Sequence, residues 1–437
     1  MGTRNRQYVA EQMQFSDYIQ QIAEGIVEST DATRHRSLRS AEAFREQVFR
    51  FHSDRQRIIF TVPAWNVSGV NTFVETLVHE LRGRGYDASI LFTTRDADQL
   101  DAELMPKVPY RFLSSKTLTP AETRRQLEEY LRANAPCIFV PNYDYAVSSI
   151  ASHLPDNVGV LGVLHCDEDE HYLHAYRMGH YWDAIVAVSP TVRSRLLQLN
   201  PAFEKRLTTI PYGVSVPAEP PSPPLYSSVI RIVYCGRLVQ KQKRIFDFAE
   251  LANILTARQV PFQLTLIGDG PAMTTLSARL QPLIEQGAVR MPGRLQYQQV
   301  LEELADHDVF ALMSDYEGLP LSLLEAMAVE CVPVVTDVES GITEILNHQT
   351  NAMISPRRDP AAMAENLIQL HGNPGRRIAL GKAAKQTLYD RRLSSSGMAD
   401  QYQRVLDDIF DALENPRSRT KDVPLDCPEV RMLLDAA

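Results

Sequence analysis

A chain of 437 residues is long enough for two domains, each with its own core. Its composition, 44% apolar and 23% charged, excludes a disordered or fibrous protein, and a net charge of −9 argues against bulk attraction to nucleic acid. The five cysteines (137, 166, 235, 331 and 427) form no CxxC pair, which disfavours a zinc site and suits a reducing compartment. Cys137, Cys235 and Cys331 lie in apolar runs and are expected to be buried thiols. No apolar run approaches the about 18 residues of a membrane-spanning helix, and no secretory apolar region opens the chain. A cytoplasmic protein is expected, with peripheral contact at the inner membrane face as an open question.

Residues 1–56 are polar and helix-forming and are expected to make an N-terminal extension. Within 34–57, seven arginines stand against three acids, and Phe44, Val48 and Phe51 recur at helical spacing. Such a stripe either packs on the next domain or rests on an anionic membrane; packing is the expectation. From Arg57 the pattern changes to strand, loop, helix, strand: Ile58–Val62, Pro63–Gly69, Asn71–Gly83 and Asp87–Phe92. Further strand-like runs follow at Cys137–Val140, Val158–Leu164 and Ala184–Val188. A proline-rich stretch from Val214 to Pro224 reads as a semi-rigid linker. A second series then begins, with strands at Ile230–Cys235, Phe262–Ile267, Asp308–Met313 and Val332–Thr336. The expected boundaries are 57–215 for the first α/β domain, 216–228 for the linker and 229–390 for the second. Residues 391–415 form a terminal helix and 416–437 a tail. Two doubly wound sheets facing a cleft bind ligands at the carboxyl ends of their strands.

The segment from Ser314 to Ala328 is the most informative. Glu317 and Glu325 flank a turn, with seven residues between them. Pro320 suits the first helical position, and the run that follows is rich in helix formers. The N–H groups of Leu321, Ser322 and Leu323 would then face outward without intrahelical partners, as an anion site. Glu325 lies a turn further in, and helical side chains lean back toward the N-terminus, within reach of a sugar on that anion. On residues alone this reads equally as two solvent-facing acids on a connection.

Several ordered motifs decide between these readings. Besides 314–328 they are Gly236–Arg244, Leu266–Pro271, Ile210–Gly213, Leu164–Asp167 and Ala187–Pro190. With them, the chain resembles the retaining GT-B glycosyltransferases of family four from roughly Arg57 to Phe410. The resemblance implies transfer of a hexosyl group from a nucleotide diphosphate sugar (UDP, GDP or ADP type) to an acceptor hydroxyl, with retained configuration and neither metal nor cofactor. It assigns His165, Glu317, Arg237 and Lys243 to the reaction. His165 contacts the transferred sugar from the first domain, and Arg237 and Lys243 balance the diphosphate charge. Lys241 and Arg244 are expected to face solvent. Donor contacts fall further on Gly69, Arg294, Leu295, Gly318, Leu319, Leu321, Ser322 and Glu325. Glu325 grips the ribose, and Arg294 with Leu295 reads the base.

His171, His174 and His180 form no consistent ligand set and read as surface or packing residues. Glu330 stands where the family often has Gly, so the preceding helix either ends with a strained left-handed residue or ends differently. A nucleotide-sugar epimerase or sugar phosphorylase on the same fold remains an alternative. A remoter one is an NAD-dependent oxidoreductase, since Gly268-Asp-Gly270 opens a dinucleotide fingerprint, but Met273 replaces its third glycine.

Overall fold

The computed structural model describes residues 56–65, 69–94, 105–167, 169–217, 228–317, 319–338 and 341–414. The expected extension up to Arg55, the membrane-facing reading of its basic stripe, residues 218–227 of the linker, Gly318 and the tail lie outside the described residues.

Two parallel sheets organise the rest. In the first lobe the strands are β1 (Arg57–Val62), β2 (Asp87–Phe92), β3 (Tyr110–Phe112), β4 (Cys137–Val140), β5 (Val158–Leu164), β6 (Ala184–Ala187) and β7 (Leu207–Thr209), ordered β3-β2-β1-β4-β5-β6-β7. The second lobe has β8 (Ile230–Cys235), β9 (Phe262–Ile267), β10 (Val289–Gly293), β11 (Val309–Leu312), β12 (Val332–Thr336) and β13 (Met353–Ser355), ordered β10-β9-β8-β11-β12-β13. Strands β4 and β5 are buried along their whole length, which is why they read as continuous apolar runs rather than alternating ones. The strand order reverses between β1 and β4 in one lobe and between β8 and β11 in the other. Those reversals open crevices at the carboxyl ends of the strands, where ligands of such sheets sit.

The last described element returns to the first lobe. Helix Ser395–Glu414 buries Tyr402, Leu406, Ile409, Phe410 and Leu413 on one face. It packs on helix Gly69–Gly83, β4 and β5. Arg84 reaches Asp400 at 2.8 Å, Ser395 Oγ donates to Glu80 Oε1 at 2.7 Å, and Tyr86 is bonded to Asp407. Two glycines allow the close approach: a Cβ on Gly159 would lie 2.5 Å from Ile409, and one on Gly213 would lie 2.4 Å from the Ser394 carbonyl oxygen. The backbone at Val214 exchanges hydrogen bonds with Leu393 (2.9 Å) and Ser395 (2.7 Å), closing the crossover.

Among the described residues no helix is long and apolar enough to cross a membrane. Cys137 and Cys331 are buried as expected, and Cys235, a half-buried residue where β8 ends at the crevice, still has its thiol desolvated. Glu330 takes the strained alternative: it is left-handed, with φ 62°. Its carbonyl fills the space beside Gly381, where a Cβ would lie 2.2 Å away, and its carboxylate stands 3.7 Å from the buried Lys385.

Gly213→Ala should force the crossover apart. Its expected cost is about 1–3 kcal/mol, the usual size for overpacking, read as a lower Tm in thermal denaturation. An unchanged Tm would mean that the crossover does not depend on this close approach.

Candidate active site

The turn before helix Leu321–Ala328 differs from expectation in one detail. Pro320 is the N-cap, with φ −65° and ψ 130°, rather than the first helical residue. Its carbonyl accepts from the amides of Leu323 (3.1 Å) and Leu324 (3.4 Å), so the Leu323 N–H is not available to an anion. Those of Leu321 and Ser322 precede it, and among the described residues no side chain caps the helix. They carry the positive end of the helix dipole into the crevice.

Seven of the eight residues of this helix are buried, and Glu325 is among them, at 6% exposed. Among the described residues its carboxylate has no hydrogen bond or ion pair. Desolvation alone raises its pKa from 4.5 to about 7. A carboxylate so placed accepts two hydrogen bonds readily, which a vicinal diol supplies. The neighbouring Cys235 thiol is pushed up to about 12, mainly by burial and further by the Glu325 charge.

Glu317 is held from two sides. Lys243 Nζ lies 2.5 Å from its Oε1, and Ser314 Oγ donates to the same oxygen. Both partners of the ion pair are largely covered, with side chains 13% (Lys243) and 5% (Glu317) exposed. The single-turn helix Gln240–Lys243 is tied to the loop that carries Glu317. The Asp315 amide donates to the Gln242 carbonyl (2.9 Å), and Gln242 Nε2 donates to the Tyr316 carbonyl (3.3 Å). Arg237 is exposed and donates to Gln242 Oε1 at 3.1 Å. Arg358 grips Asp315 through two hydrogen bonds (2.9 and 3.0 Å) and holds its carboxyl below the usual range. Lys241 is exposed as expected, but Arg244 is not free in solvent. It is a left-handed residue (φ 51°) paired with Asp247 through two 3.0 Å hydrogen bonds.

The glycines of Gly268-Asp-Gly270 serve the Arg237 loop. Gly268 has φ 135°, and a Cβ there would lie 1.9 Å from the Gly236 carbonyl oxygen. Gly270 has φ 158° and faces Leu238, where a Cβ would lie 2.6 Å from the carbonyl oxygen. The Leu238 amide donates to the Asp269 carbonyl at 2.9 Å. These contacts let two loops pass each other, which accounts for the glycines without a dinucleotide. Arg294 is exposed and Leu295 half-buried just beyond Gly293, a left-handed glycine (φ 78°) that ends β10.

From the first lobe, helix Gly69–Gly83 starts two residues earlier than the expected Asn71. A Cβ on Gly69 would stand 3.5 Å from Leu321 Cδ1, so the helix starts of the two lobes meet across the crevice. His165 follows β5 and is 6% exposed. Its Nδ1 lies 2.8 Å from the Tyr212 hydroxyl, while Nε2 is buried with no partner among the described residues. Burial, aided by His171, pushes its pKa down to about 3. His171, His174 and His180 pack against aromatic neighbours.

The second lobe thus brings Lys243, Glu317, Ser322 and Glu325 to one crevice, with Arg237 at its rim, Leu319 half-buried beside Pro320 and Gly69 opposite. Gln242 and Tyr212 were not singled out by residue type. Gln242 sits between the two expected cations, and Tyr212 lies within a recognised motif; these positions were the available signals.

Two facing parallel lobes with an anion-directed helix start at the crevice define a GT-B transferase fold. A family model described as Glycosyltransferase Family 4 matches residues 67–216, and one described as Glycosyl transferases group 1 matches 230–373. The chain belongs to glycosyltransferase family four. It is similar to the amylovoran biosynthesis glycosyltransferase AmsK of Erwinia amylovora, at 29% identity over 40% of this chain and 45% of AmsK. It is also similar to the N-acetyl-alpha-D-glucosaminyl L-malate synthase of Bacillus anthracis, at 30% identity over 39% of this chain and 44% of that protein. The matches thus span under half the length of these relatives. A solved structure of HepE from Anabaena with UDP and glucose shares the fold, with TM-score 0.63 and 15% identity over 81% of this chain and all of HepE.

Gly268→Ala should displace the Arg237 loop and weaken binding of a nucleoside diphosphate by about tenfold, the effect of one lost charged hydrogen bond. Calorimetric titration would measure it, and unchanged affinity would detach the glycine from the site. The Glu325 carboxyl gives a pH signature. Between pH 4.5 and about 7 the folded chain keeps a proton that the unfolded chain has lost. Its stability contribution is therefore full below pH 4.5 and is lost as pH rises through about 7. Glu325→Gln should remove that fall in urea denaturation; an identical pH slope in the variant would refute the assignment.

Proposed function

We propose that this glycosyltransferase moves a hexosyl group from a nucleotide diphosphate sugar to an acceptor hydroxyl, with retained anomeric configuration and without a metal ion. The observation that carries the reading is the buried, unpartnered carboxylate of Glu325, one turn inside an uncapped helix start. A diphosphate at the Leu321 and Ser322 amides, beside Leu319, would bring its ribose to that carboxylate. Lys243 and Arg237 supply the counter-charge as the leaving phosphate gains negative charge. Glu317, fixed by Lys243 and Ser314, grips hydroxyls of the transferred sugar, and His165 meets the same sugar from the first lobe. Arg294 and Leu295 read the base.

In this mechanism the bond from the anomeric carbon to the phosphate oxygen breaks while the acceptor oxygen bonds the same carbon on the same face. The departing phosphate takes the acceptor proton, so no side chain acts as the base. Lys243, paired with Glu317, and Arg237, held by Gln242, are the cationic side chains that can meet the diphosphate. The role of AmsK in amylovoran biosynthesis favours a glycan or glycolipid acceptor. HepE, which shares the fold, binds UDP and glucose in its crystal, so UDP-sugars are screened beside the GDP and ADP classes.

The test is a hydrolysis screen of UDP-, GDP- and ADP-sugars in EDTA, with product analysis. One donor should be cleaved slowly to free sugar of retained configuration. Glu325→Ala and Lys243→Ala should each weaken donor binding by about tenfold or more. Strict dependence on a divalent ion, epimerised donor without transfer, or an unaffected Glu325→Ala enzyme would each overturn the proposal.

A further inference from the structure

The reading above uses His165 but leaves open which of its ring nitrogens carries the proton. The surroundings of Nδ1 decide this. Tyr212 Oη lies 2.8 Å from Nδ1 and 3.4 Å from the backbone carbonyl of His165 itself. Both side chains are buried, at 6% (His165) and 8% (Tyr212) exposed, so water does not compete for either. The phenol is held in place by its ring rather than its hydroxyl. It lies on Phe73 at 5.0 Å, and Phe73 in turn touches the His165 ring edge-on at 5.3 Å and Tyr402 of the C-terminal helix at 5.7 Å.

Burial raises the Tyr212 pKa well above 10 and leaves the imidazole neutral, so one phenol proton and one imidazole proton must be shared out. The phenol has one proton and two acceptors in reach. The nearer acceptor, an imidazole nitrogen, is also the better one, and the 3.4 Å carbonyl contact is at the limit of a hydrogen bond. When Tyr212 donates to Nδ1, the imidazole proton must sit on Nε2.

We propose that Tyr212 is a positioning residue that fixes His165 in the Nε2–H tautomer, so that His165 offers a neutral hydrogen-bond donor to a hydroxyl oxygen of the donor's sugar. The proposal rests on the sugar contact assigned to His165 above. It adds a specificity element that the ring type alone does not carry. A sugar with an oxygen at that place gains the hydrogen bond, and a deoxy analogue leaves the buried Nε2–H unpaired. It also makes the presentation of His165 depend on the C-terminal helix, through Tyr402, Phe73 and Tyr212 in turn.

The test uses the full chain and two readouts. In nitrogen-15 spectra, with His165 assigned by comparison with His165→Ala, the wild type should give the Nε2–H pattern. Tyr212→Phe, which keeps the ring and removes the hydroxyl, should give a mixture of tautomers. The kinetic arm uses whichever of UDP-glucose, UDP-N-acetylglucosamine, GDP-mannose and ADP-glucose the wild type cleaves. There Tyr212→Phe should lower kcat about tenfold with little change in KM, the size of one positioned hydrogen bond. In a His165→Ala background the same substitution should change nothing further. A wild-type Nδ1–H pattern, an unchanged spectrum in Tyr212→Phe, or full additivity with His165→Ala would overturn the proposal. If none of the four sugars is cleaved, the transferase reading fails, while the spectra still decide the tautomer.

Discussion

A carboxyl group kept from water, without a partner among the described residues, is the constraint on which the second lobe depends. Burying an unpaired charge is costly, and a buried carboxyl answers by holding its proton. Glu325 does this, with a pKa near 7. Its helix would be better packed with an apolar residue there, since its neighbours Leu323, Leu324, Ala326 and Met327 are fully buried. The arrangement makes sense when a ligand completes the hydrogen bonding. The ligand must then bring donors such as hydroxyls, and must approach from the helix start, where positive potential is also concentrated.

The loops around that helix are fixed beforehand. Gln242 links Arg237 to the 314–317 loop through main-chain and side-chain bonds, and Arg358 clamps Asp315 from the outer side. The Lys243–Glu317 pair is buried enough that losing one partner would leave the other charge uncompensated, at a cost of about 3–5 kcal/mol. An ammonium has three donors, so Lys243 can keep Glu317 in place with one and still offer others to a phosphate. The pair therefore orients both residues instead of removing either from the site.

The strands were legible because a parallel sheet covered on both faces needs continuous apolar runs, and VGVLGVL or CIFV can hardly be anything else. The local placement of Glu317 on a loop and Glu325 on the helix after it was legible because one ordered motif carries both. It was less legible where a role depends on a distant partner. Tyr212 acts on a residue 47 positions away, and no periodicity encodes that pairing. Arg244 was misjudged for the opposite reason. Its pairing with Asp247, three residues on, is local, but a cluster of basic residues hid it. The shift of Pro320 from helix to cap changed which amides are free, a difference of one residue that propensity does not resolve.

The crossover of the C-terminal helix has a consequence for synthesis. The first lobe's sheet is complete once residue 209 has been made, yet Gly159, Gly213 and the face of helix Gly69–Gly83 await residues 395–414 as their cover. An amino-terminal lobe emerging from the ribosome thus stays uncapped while the whole second lobe is translated. A chain that folds in order from its first residue cannot finish its first lobe first. An apolar face left without its helix during that interval is built into the topology. Truncation from the carboxyl end would damage the lobe farthest from it in sequence.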